Sequence, residues 1–272
     1  MSGSYWEAVR ETGLSVPSDR PLDELTAELT RMLGDPDPEI REALAHPALS
    51  TWIAQGVYDD LLSGLGDGMA AGLVVGLGDA DSDSVFRRSY SALVLGACIA
   101  RDNERPLVPG GKVLEWGDRV ATWLLRERDL RGFVVGKGWA HAVAHGADAL
   151  ATLASSPHVA TPELTVILDV VADRVLAPVA AAYGQGEPDR LARATMAVLR
   201  RDLVPLTVVE PWVARIGAST AVPAPDAGNA EAFLRALYLQ LALGPHPPEV
   251  RADLLLTLVE VLRRRNADLR RR

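Results

Sequence analysis

The stretch LGDPDPEIR at residues 33–41 is echoed by LGDADSDSVFR at residues 77–87, and both lead into segments with helical apolar spacing. The two Leu-Gly-Asp starts lie 44 residues apart, and Arg131 follows Arg87 by another 44. A spacing in the forties is the period of the two-helix units in HEAT and armadillo proteins. The repeat predicts an α-solenoid, although helix capping by these acidic turns would also explain the recurrence.

The composition favours helices throughout the chain. Of the 272 residues, 48% are apolar and only 5% are aromatic, and Ala, Leu and Val supply most of the apolar content. Ala and Leu favour close helix packing over sheets. Capping residues, breakers and apolar spacing predict helices at 4–12, 21–33, 37–46, 49–64, 67–77, 83–101, 111–127, 137–155, 161–183, 188–201, 203–217, 228–242 and 247–268. We therefore predict an all-α fold, a HEAT/armadillo-like α-solenoid of antiparallel helix pairs.

The chain is predicted to form a single domain over residues 1–272. Only AVPAPDAG at residues 221–228 resembles a linker, and the helices predicted on both sides keep apolar faces that need partners. The helices over residues 206–272 are expected to cap the array or to add a partner surface.

Charge and cysteine content argue against several classes of partner and site. The formal net charge of −8 disfavours a nucleic acid partner, which needs clustered Lys and Arg. The single cysteine, Cys98, lies in an apolar run, so neither an intrachain disulfide nor a cysteine zinc site is expected. The N-terminus lacks the features of a signal peptide, and no apolar stretch approaches the roughly 18 residues of a membrane span. We therefore expect a cytoplasmic protein with no membrane partner.

The stretch KGWAHAVAHGAD at residues 137–148 is the candidate functional site. Wound as a helix over residues 137–155, it predicts a polar stripe on one face, made of Lys137, His141, His145, Asp148 and Thr152. Trp139 falls on the opposite side of that helix. The motif therefore gathers two of the protein's five histidines with a lysine and an aspartate.

A metal site is one interpretation of this stripe. His141 and His145 have the i, i+4 spacing at which imidazoles from adjacent turns reach one metal ion, and Asp148 would be a third ligand or an orienting acceptor. The His-Glu-x-x-His pattern of zinc proteases is absent, because residue 142 is Ala. A divalent metal would therefore need further ligands, for example Glu127, Asp129 or His46, and no cofactor is predicted.

Two other interpretations stay open. The polar side chains would form a buried core network by hydrogen-bonding one another, since buried polar groups are paired. Alternatively, Gly136-Lys137-Gly138 at the predicted helix start would hold a carboxylate or phosphate through backbone N–H groups and the Lys ammonium.

Several motifs together resemble the signature of a bacterial family known only as domain of unknown function 2785. They are DLRG at 129–132, GKGWAHAVAHGAD at 136–148, DSVFRRSYSAL at 83–93 and GEPDRL at 186–191. The resemblance covers residues from about 20 to 205. It implies an all-helical, HEAT-like domain, and it implies no reaction. It favours a shared pocket made of Asp129, Arg131, Lys137, Trp139, His141, His145 and Asp148.

The leading functional hypothesis is a non-enzymatic helical-repeat protein whose concave face binds a small molecule, a peptide or a protein around this pocket. The alternative is a hydrolase- or lyase-like enzyme that uses the histidine pair as metal ligands or as general acid and base. In that enzyme Lys137 or Arg131 would stabilise an anion. A HEAT-like nucleic acid binder would need a basic groove, which the net acidity disfavours.

Overall fold

Helices supply nearly all of the regular structure. A computed structural model describes residues 2–179, 182–218 and 225–265. The predicted all-α class is confirmed over these ranges. The exception among them is a two-stranded antiparallel hairpin, β1 (Phe133–Val134) paired with β2 (Gly138–Trp139).

The chain divides into two compact units, residues 1–149 and 150–272. Residues 221–224 of the predicted linker lie outside the described part of the chain, whereas residues 225–228 belong to a helix. Among the described residues, we find no helix that combines the length and the apolar character needed to span a membrane.

The first unit is built from helices that follow one another along the chain. They are α1 (Ser2–Glu11), α2 (Leu22–Met32), α3 (Pro38–Ile40), α4 (His46–Ala54), α5 (Leu62–Gly72), α6 (Ser84–Glu104) and α7 (Gly110–Arg126). A π-helical turn, Arg41–Ala45, joins α3 to α4 without a break. The hairpin follows α7, and α8 (Ala142–Ala154) begins three residues after it.

The segment from α3 to α4 forms one continuous helix, so the separate helices predicted at 37–46 and 49–64 are wrong. Asp37 begins it by accepting the Glu39 N–H at 2.9 Å, with Pro38 at the first helical position. The π-helical turn ends two residues before Pro47, which lacks the N–H that an α-helical turn would use. The chain turns instead at Gly56, whose φ of +79° suits glycine.

Close packing against a tryptophan fixes α5 beside α7. Trp116 is fully buried, and its indole N–H donates to Asp67 at 2.9 Å. A methyl group at Gly66 would lie 2.1 Å from the Trp116 ring, so only glycine permits this approach. Trp52 and Trp123 are buried as well.

The second unit continues the succession of helices. They are α9 (Thr161–Leu176), α10 (Glu187–Leu199), α11 (Leu206–Ala218), α12 (Pro225–Leu243) and α13 (Arg251–Arg265). Helix α9 packs on both α10 and α11, α10 packs on α12, and α11 packs on α12 and α13. Helix α9 also contacts α12, and α12 contacts α13, so each of these helices packs against at least two others.

Hydrogen bonds between helices recur at similar separations along the chain. In the second unit the indole N–H of Trp212 donates to the Leu168 carbonyl, 44 residues away, at 2.7 Å. Arg201 donates to the carbonyl of Ala154, 47 residues away. In the first unit the Arg101 guanidinium binds Asp59 across 42 residues.

Candidate functional site

The chain before His145 forms a hairpin, and the prediction of a helix starting at Lys137 is wrong. Gly136, Gly138 and His141 have φ values of +75°, +76° and +47°, which a right-handed helix excludes. The N–H of Lys137 donates to the Val134 carbonyl at 2.9 Å and closes the turn. Helix α8 begins only at Ala142. The predicted stripe on one helix face therefore does not exist in that form.

The structure nevertheless brings the two motif histidines together. His141 lies just before α8, and its carbonyl accepts the N–H of His145 at 2.9 Å. Their rings meet edge to face with centroids 5.8 Å apart. Trp139, predicted on the opposite side, stacks on His141 with centroids 4.2 Å apart and 27° between the ring planes. The hairpin, rather than a helix, thus places the indole beside the histidines.

The ring contacts that begin with Trp139 and His141 continue from His145 into the core of the first unit. Tyr90 of α6 contacts His145 edge to face at 5.1 Å, and His46 contacts Tyr90 at 5.8 Å. Burial raises the pKa of the Tyr90 hydroxyl, with a smaller contribution from the charge of Glu42. Burial also lowers the pKa of His46, with a smaller opposing contribution from Glu42. Both groups are therefore held in their neutral forms at neutral pH.

Ser89 of α6 is hydrogen-bonded to His145 inside the core. Its hydroxyl donates to the Ala140 carbonyl, and Ser89 Oγ lies 2.7 Å from His145 Nδ1. Because the carbonyl only accepts, this assignment requires Nδ1 of His145 to carry hydrogen and donate to Ser89. Ser89 is fully buried and its hydroxyl hydrogen is already used, so the pair is not arranged as a nucleophile and its base.

Two residues of the π-helical turn hold the hairpin backbone. The Arg41 guanidinium is fully buried and donates to the Lys137 carbonyl and, at 2.6 Å, to Glu42. Glu42 Oε1 also accepts the Trp139 N–H at 2.7 Å. A methyl group at Gly138 would lie 2.2 Å from the same carboxylate oxygen. Glycine at position 138 is therefore required by both its φ and this contact.

Three of the predicted charged residues, Asp129, Arg131 and Lys137, lie near the hairpin, each beside an opposite charge. Arg131 binds Asp129 through two hydrogen bonds of 2.6 and 2.8 Å and donates to the Ser82 carbonyl. Hydrogen bonding to Asp129 raises the pKa of Arg131. Lys137 Nζ lies 2.7 Å from a carboxylate oxygen of Asp83, which was not predicted as a site residue. These pairs tie the hairpin region to the start of α6.

The two acidic residues suggested as further metal ligands, Glu127 and Asp129, are each paired with an arginine. Glu127 forms a fully buried ion pair with Arg88, with hydrogen bonds of 2.5 and 2.8 Å, and also accepts the Trp123 indole N–H. Asp148 is half-buried in α8. Over the described part of the chain, no group of three or more His, Cys, Asp or Glu side chains could hold a metal ion. A metal at His141 and His145 stays a prediction.

Comparison with models of protein families assigns the chain to a family. A family model described as a protein of unknown function, DUF2785, matches residues 73–239, which is more than half of the chain. The chain belongs to the DUF2785 family. Comparison with curated proteins and with solved structures found no match. The DUF2785 match begins later and ends later than the resemblance predicted from residues 20–205.

The DUF2785 match covers only part of the site. It includes the hairpin, α6 and the two motif histidines. Arg41 and Glu42, which bind the hairpin backbone, lie before the first matched residue, and so does His46. Sequence reasoning missed Glu42, Ser89 and Tyr90 as site residues, because no local pattern links them to the hairpin.

Proposed function

We propose that this DUF2785 protein is a non-enzymatic, HEAT/armadillo-like helical-repeat protein that binds a polypeptide partner through its hairpin. The observation that carries the proposal is the exposure of three apolar side chains on this one hairpin. Val135 at the turn is 91% exposed, Phe133 is 49% exposed and Trp139 is 37% exposed. Exposed tryptophan and clustered apolar groups are characteristic of binding hot spots.

The repeat architecture is supported by the packing within each unit. Helix α5 contacts α6 and α7 in the first unit, and α11 contacts α12 and α13 in the second, as is expected when helix pairs stack one after another. The hydrogen bonds across 42 to 47 residues match the repeat length of HEAT and armadillo units.

Contacts with the rest of the first unit hold the hairpin without a partner. Arg41 and Glu42 form hydrogen bonds with its backbone, and the Lys137 side chain is paired with Asp83. The Trp139 ring is already positioned by its stack on His141. A preordered aromatic side chain loses little conformational entropy on binding, which favours recognition at this surface.

A polypeptide suits this surface better than a small molecule. Small molecules prefer concave sites that bury most of their surface, whereas the turn residue Val135 projects into solvent. Two clefts of about 340 and 350 Å³ in the first unit are lined by other residues, from α1 to α5 and the turns between them. Charged groups around the hairpin, among them Lys137, Asp83 and Arg131, would form the polar rim of an interface.

The geometry supports binding more than histidine catalysis. His145 is 8% exposed and its Nδ1 is hydrogen-bonded to Ser89. A general acid or base must reach the reacting group directly or through one water molecule. His141 is the more accessible ring, but its face is covered by Trp139.

Photo-crosslinking in the cells that naturally make this protein tests the proposal. Val135 is replaced by benzoylphenylalanine, and the matched control carries the same group at Val166 of α9, a valine that is 56% exposed. We expect a discrete protein adduct from position 135 that the control does not form. Adding Trp139→Ala should strongly reduce this adduct, because it removes the central aromatic contact.

Two results would contradict the proposal. Identical adducts from positions 135 and 166 would indicate nonspecific capture. An adduct from position 135 that persists at full yield in the Trp139→Ala variant would mean that the hairpin surface does not recognise the partner.

A further inference from the structure

The first of the two acidic loops in the sequence repeat, residues 33–37, contacts the hairpin. The Arg41 guanidinium donates both to the Asp35 carbonyl in this loop and to the Lys137 carbonyl in the hairpin. Directly after the loop, Pro38 Cβ would lie 2.9 Å from a methyl group placed at Gly138. The first acidic loop is therefore held beside the hairpin turn.

The second acidic loop, residues 77–83, also lies beside the hairpin. Arg131 is at the base of the hairpin, where its carbonyl accepts the His141 N–H at 3.0 Å. The Arg131 side chain donates to the Ser82 carbonyl at 2.9 Å, and its Nε lies 3.8 Å from the Asp81 carboxylate. Lys137 is paired with Asp83 of the same loop. Both copies of the acidic motif are thus placed next to the exposed apolar side chains.

Helix capping explains only part of this acidity. Asp37 caps α3 by accepting the Glu39 N–H. Asp83 stands at the N-cap position of α6, but its side chain makes no capping hydrogen bond. The Asp81 side chain is 86% exposed and accepts no hydrogen bond from the described backbone. The second acidic loop therefore presents charge to solvent that the start of α6 does not use.

The cations that bind the hairpin or its base do not neutralise the two loops. Each is paired with a carboxylate, and the pairs are Arg41 with Glu42, Lys137 with Asp83, and Arg131 with Asp129 at 2.6 Å. Asp35, Asp37 and Asp79 form no ion pair with any described residue. Arg87, the next arginine along α6, is half-buried, and its Nε lies against Gly72 of α5. The surface around the hairpin is left with an excess of negative charge.

This combination of groups limits the chemistry of a partner. Aspartates repel phosphate groups, and over the described residues no three acidic or histidine side chains converge to hold a metal ion. The apolar side chains of Phe133, Val135 and Trp139 need an apolar counterpart. Lysine and arginine side chains complement the aspartates, and the indole of Trp139 also attracts their cations.

We propose that the partner of the hairpin is a basic polypeptide segment. An apolar side chain of this segment packs on Trp139 and Val135, and its lysine or arginine side chains pair with Asp79 and Asp81 and with Asp35 and Asp37. The inference rests on the function proposed above and adds the charge of the partner to it. The acidic loops contribute specificity and speed of association at an interface whose centre is apolar.

Binding of the cross-linked segment to charge variants tests the proposal. The segment captured from position 135 is mapped by mass spectrometry, synthesised, and titrated against the purified full chain by fluorescence anisotropy. We expect a segment with net positive charge, whose affinity falls as the salt concentration rises. Asp79→Asn combined with Asp81→Asn should weaken binding about five- to tenfold, because two interfacial charge pairs are lost. Asparagine accepts the φ of +54° at position 81, so the loop is expected to keep its conformation.

A second pair of substitutions, Asp35→Asn with Asp37→Asn, tests the first acidic loop. Asparagine caps a helix as well as aspartate does, so the variant removes charge and keeps the start of α3. The matched control is Glu249→Gln with Asp253→Asn, which removes the same charge from exposed positions of the second unit. We expect weaker binding from the loop variant and unchanged affinity from the control.

The proposal is overturned if the mapped segment is neutral or acidic, or if both loop variants bind it as tightly as the control does. Failure of the proposed function gives a different result. In that case position 135 yields no specific adduct, or the adduct persists in the Trp139→Ala variant, and both proposals are then wrong.

Discussion

The carboxylate of Glu42 accepts the backbone N–H of Trp139 at 2.7 Å, across 97 residues of sequence. The same oxygen accepts a hydrogen bond of 2.6 Å from Arg41. The contact links the π-helical turn of the first unit to the hairpin that presents the exposed tryptophan. π-Helical turns are rare and occur often at functional sites, and here the turn carries both residues that hold the hairpin.

Glu42→Ala should loosen the hairpin and destabilise the protein. The variant leaves the buried Arg41 without its carboxylate, and we expect a loss of about 3 kcal/mol, the lower end for a broken buried pair because Glu42 is partly exposed. Urea denaturation measures the loss, and hydrogen exchange of the Trp139 amide should accelerate. Glu39→Ala, at an exposed position of the same helix, is the control and should change stability by less than about 0.5 kcal/mol. Equal effects of the two variants would contradict this account.

The buried pair of Arg88 and Glu127 should be essential for the stability of the first unit. Arg88→Met leaves the Glu127 carboxylate buried without a counter-charge, and we expect a loss of about 3–5 kcal/mol. Adding Glu127→Gln should recover part of that loss, because it removes the uncompensated charge while it keeps an acceptor for the Trp123 indole. Additive losses in a double-mutant cycle measured by urea denaturation would contradict the pairing.

Much of the helical framework is predictable from local sequence. Helices α6, α7 and α10, for example, were predicted within three residues of their observed bounds, since apolar spacing at the helical period marks them. The three arginines that suggested the repeat are not equivalent, however. Arg41 is buried in the π-helical turn, Arg87 lies in the first turn of α6, and Arg131 lies in the segment before β1.

The hairpin was missed although part of its signal is local. FVVGKGW at residues 133–139 places aromatic and β-branched residues on both sides of a glycine-containing turn, which is typical of a hairpin. The helical spacing after Ala142 also fits the residues from Lys137 onward, which is why the sequence predicts a helix there. The contacts of Arg41 and Glu42 with the hairpin could not be predicted, because they join positions 96 and 97 residues apart. Such contacts follow from tertiary packing and leave no local pattern.

His46 should make stability depend on pH. Its folded-state pKa is lowered by burial, so between that pKa and the unfolded value of about 6.5 the unfolded chain binds more protons. The contribution of His46 to the free energy of unfolding should therefore be fully present above about pH 6.5 and decline as the pH falls below it. Urea denaturation from pH 5 to 7.5 measures this decline, and His46→Gln should reduce it.

The control for this pH series is His246→Asn. His246 is exposed and has a φ of +51°, a conformation that asparagine tolerates. The comparison uses the difference between each variant and the wild-type protein, which cancels the contributions of the other histidines. A decline that is the same in the wild-type protein and in His46→Gln would assign the pH dependence to other groups.

The two histidines of the motif should respond differently to substitution, although the sequence pattern treats them alike. His145→Ala removes the N–H donor to the buried Ser89 hydroxyl and a ring packed on Tyr90, so we expect a loss of about 2–4 kcal/mol. His141→Asn keeps a residue that accepts the φ of +47° and should cost less than about 1 kcal/mol. The cross-linking yield from position 135 should fall in the His141→Asn variant, because Trp139 loses the ring on which it stacks. If urea denaturation gives equal losses for both variants, the distinction between a structural His145 and a surface-supporting His141 is wrong.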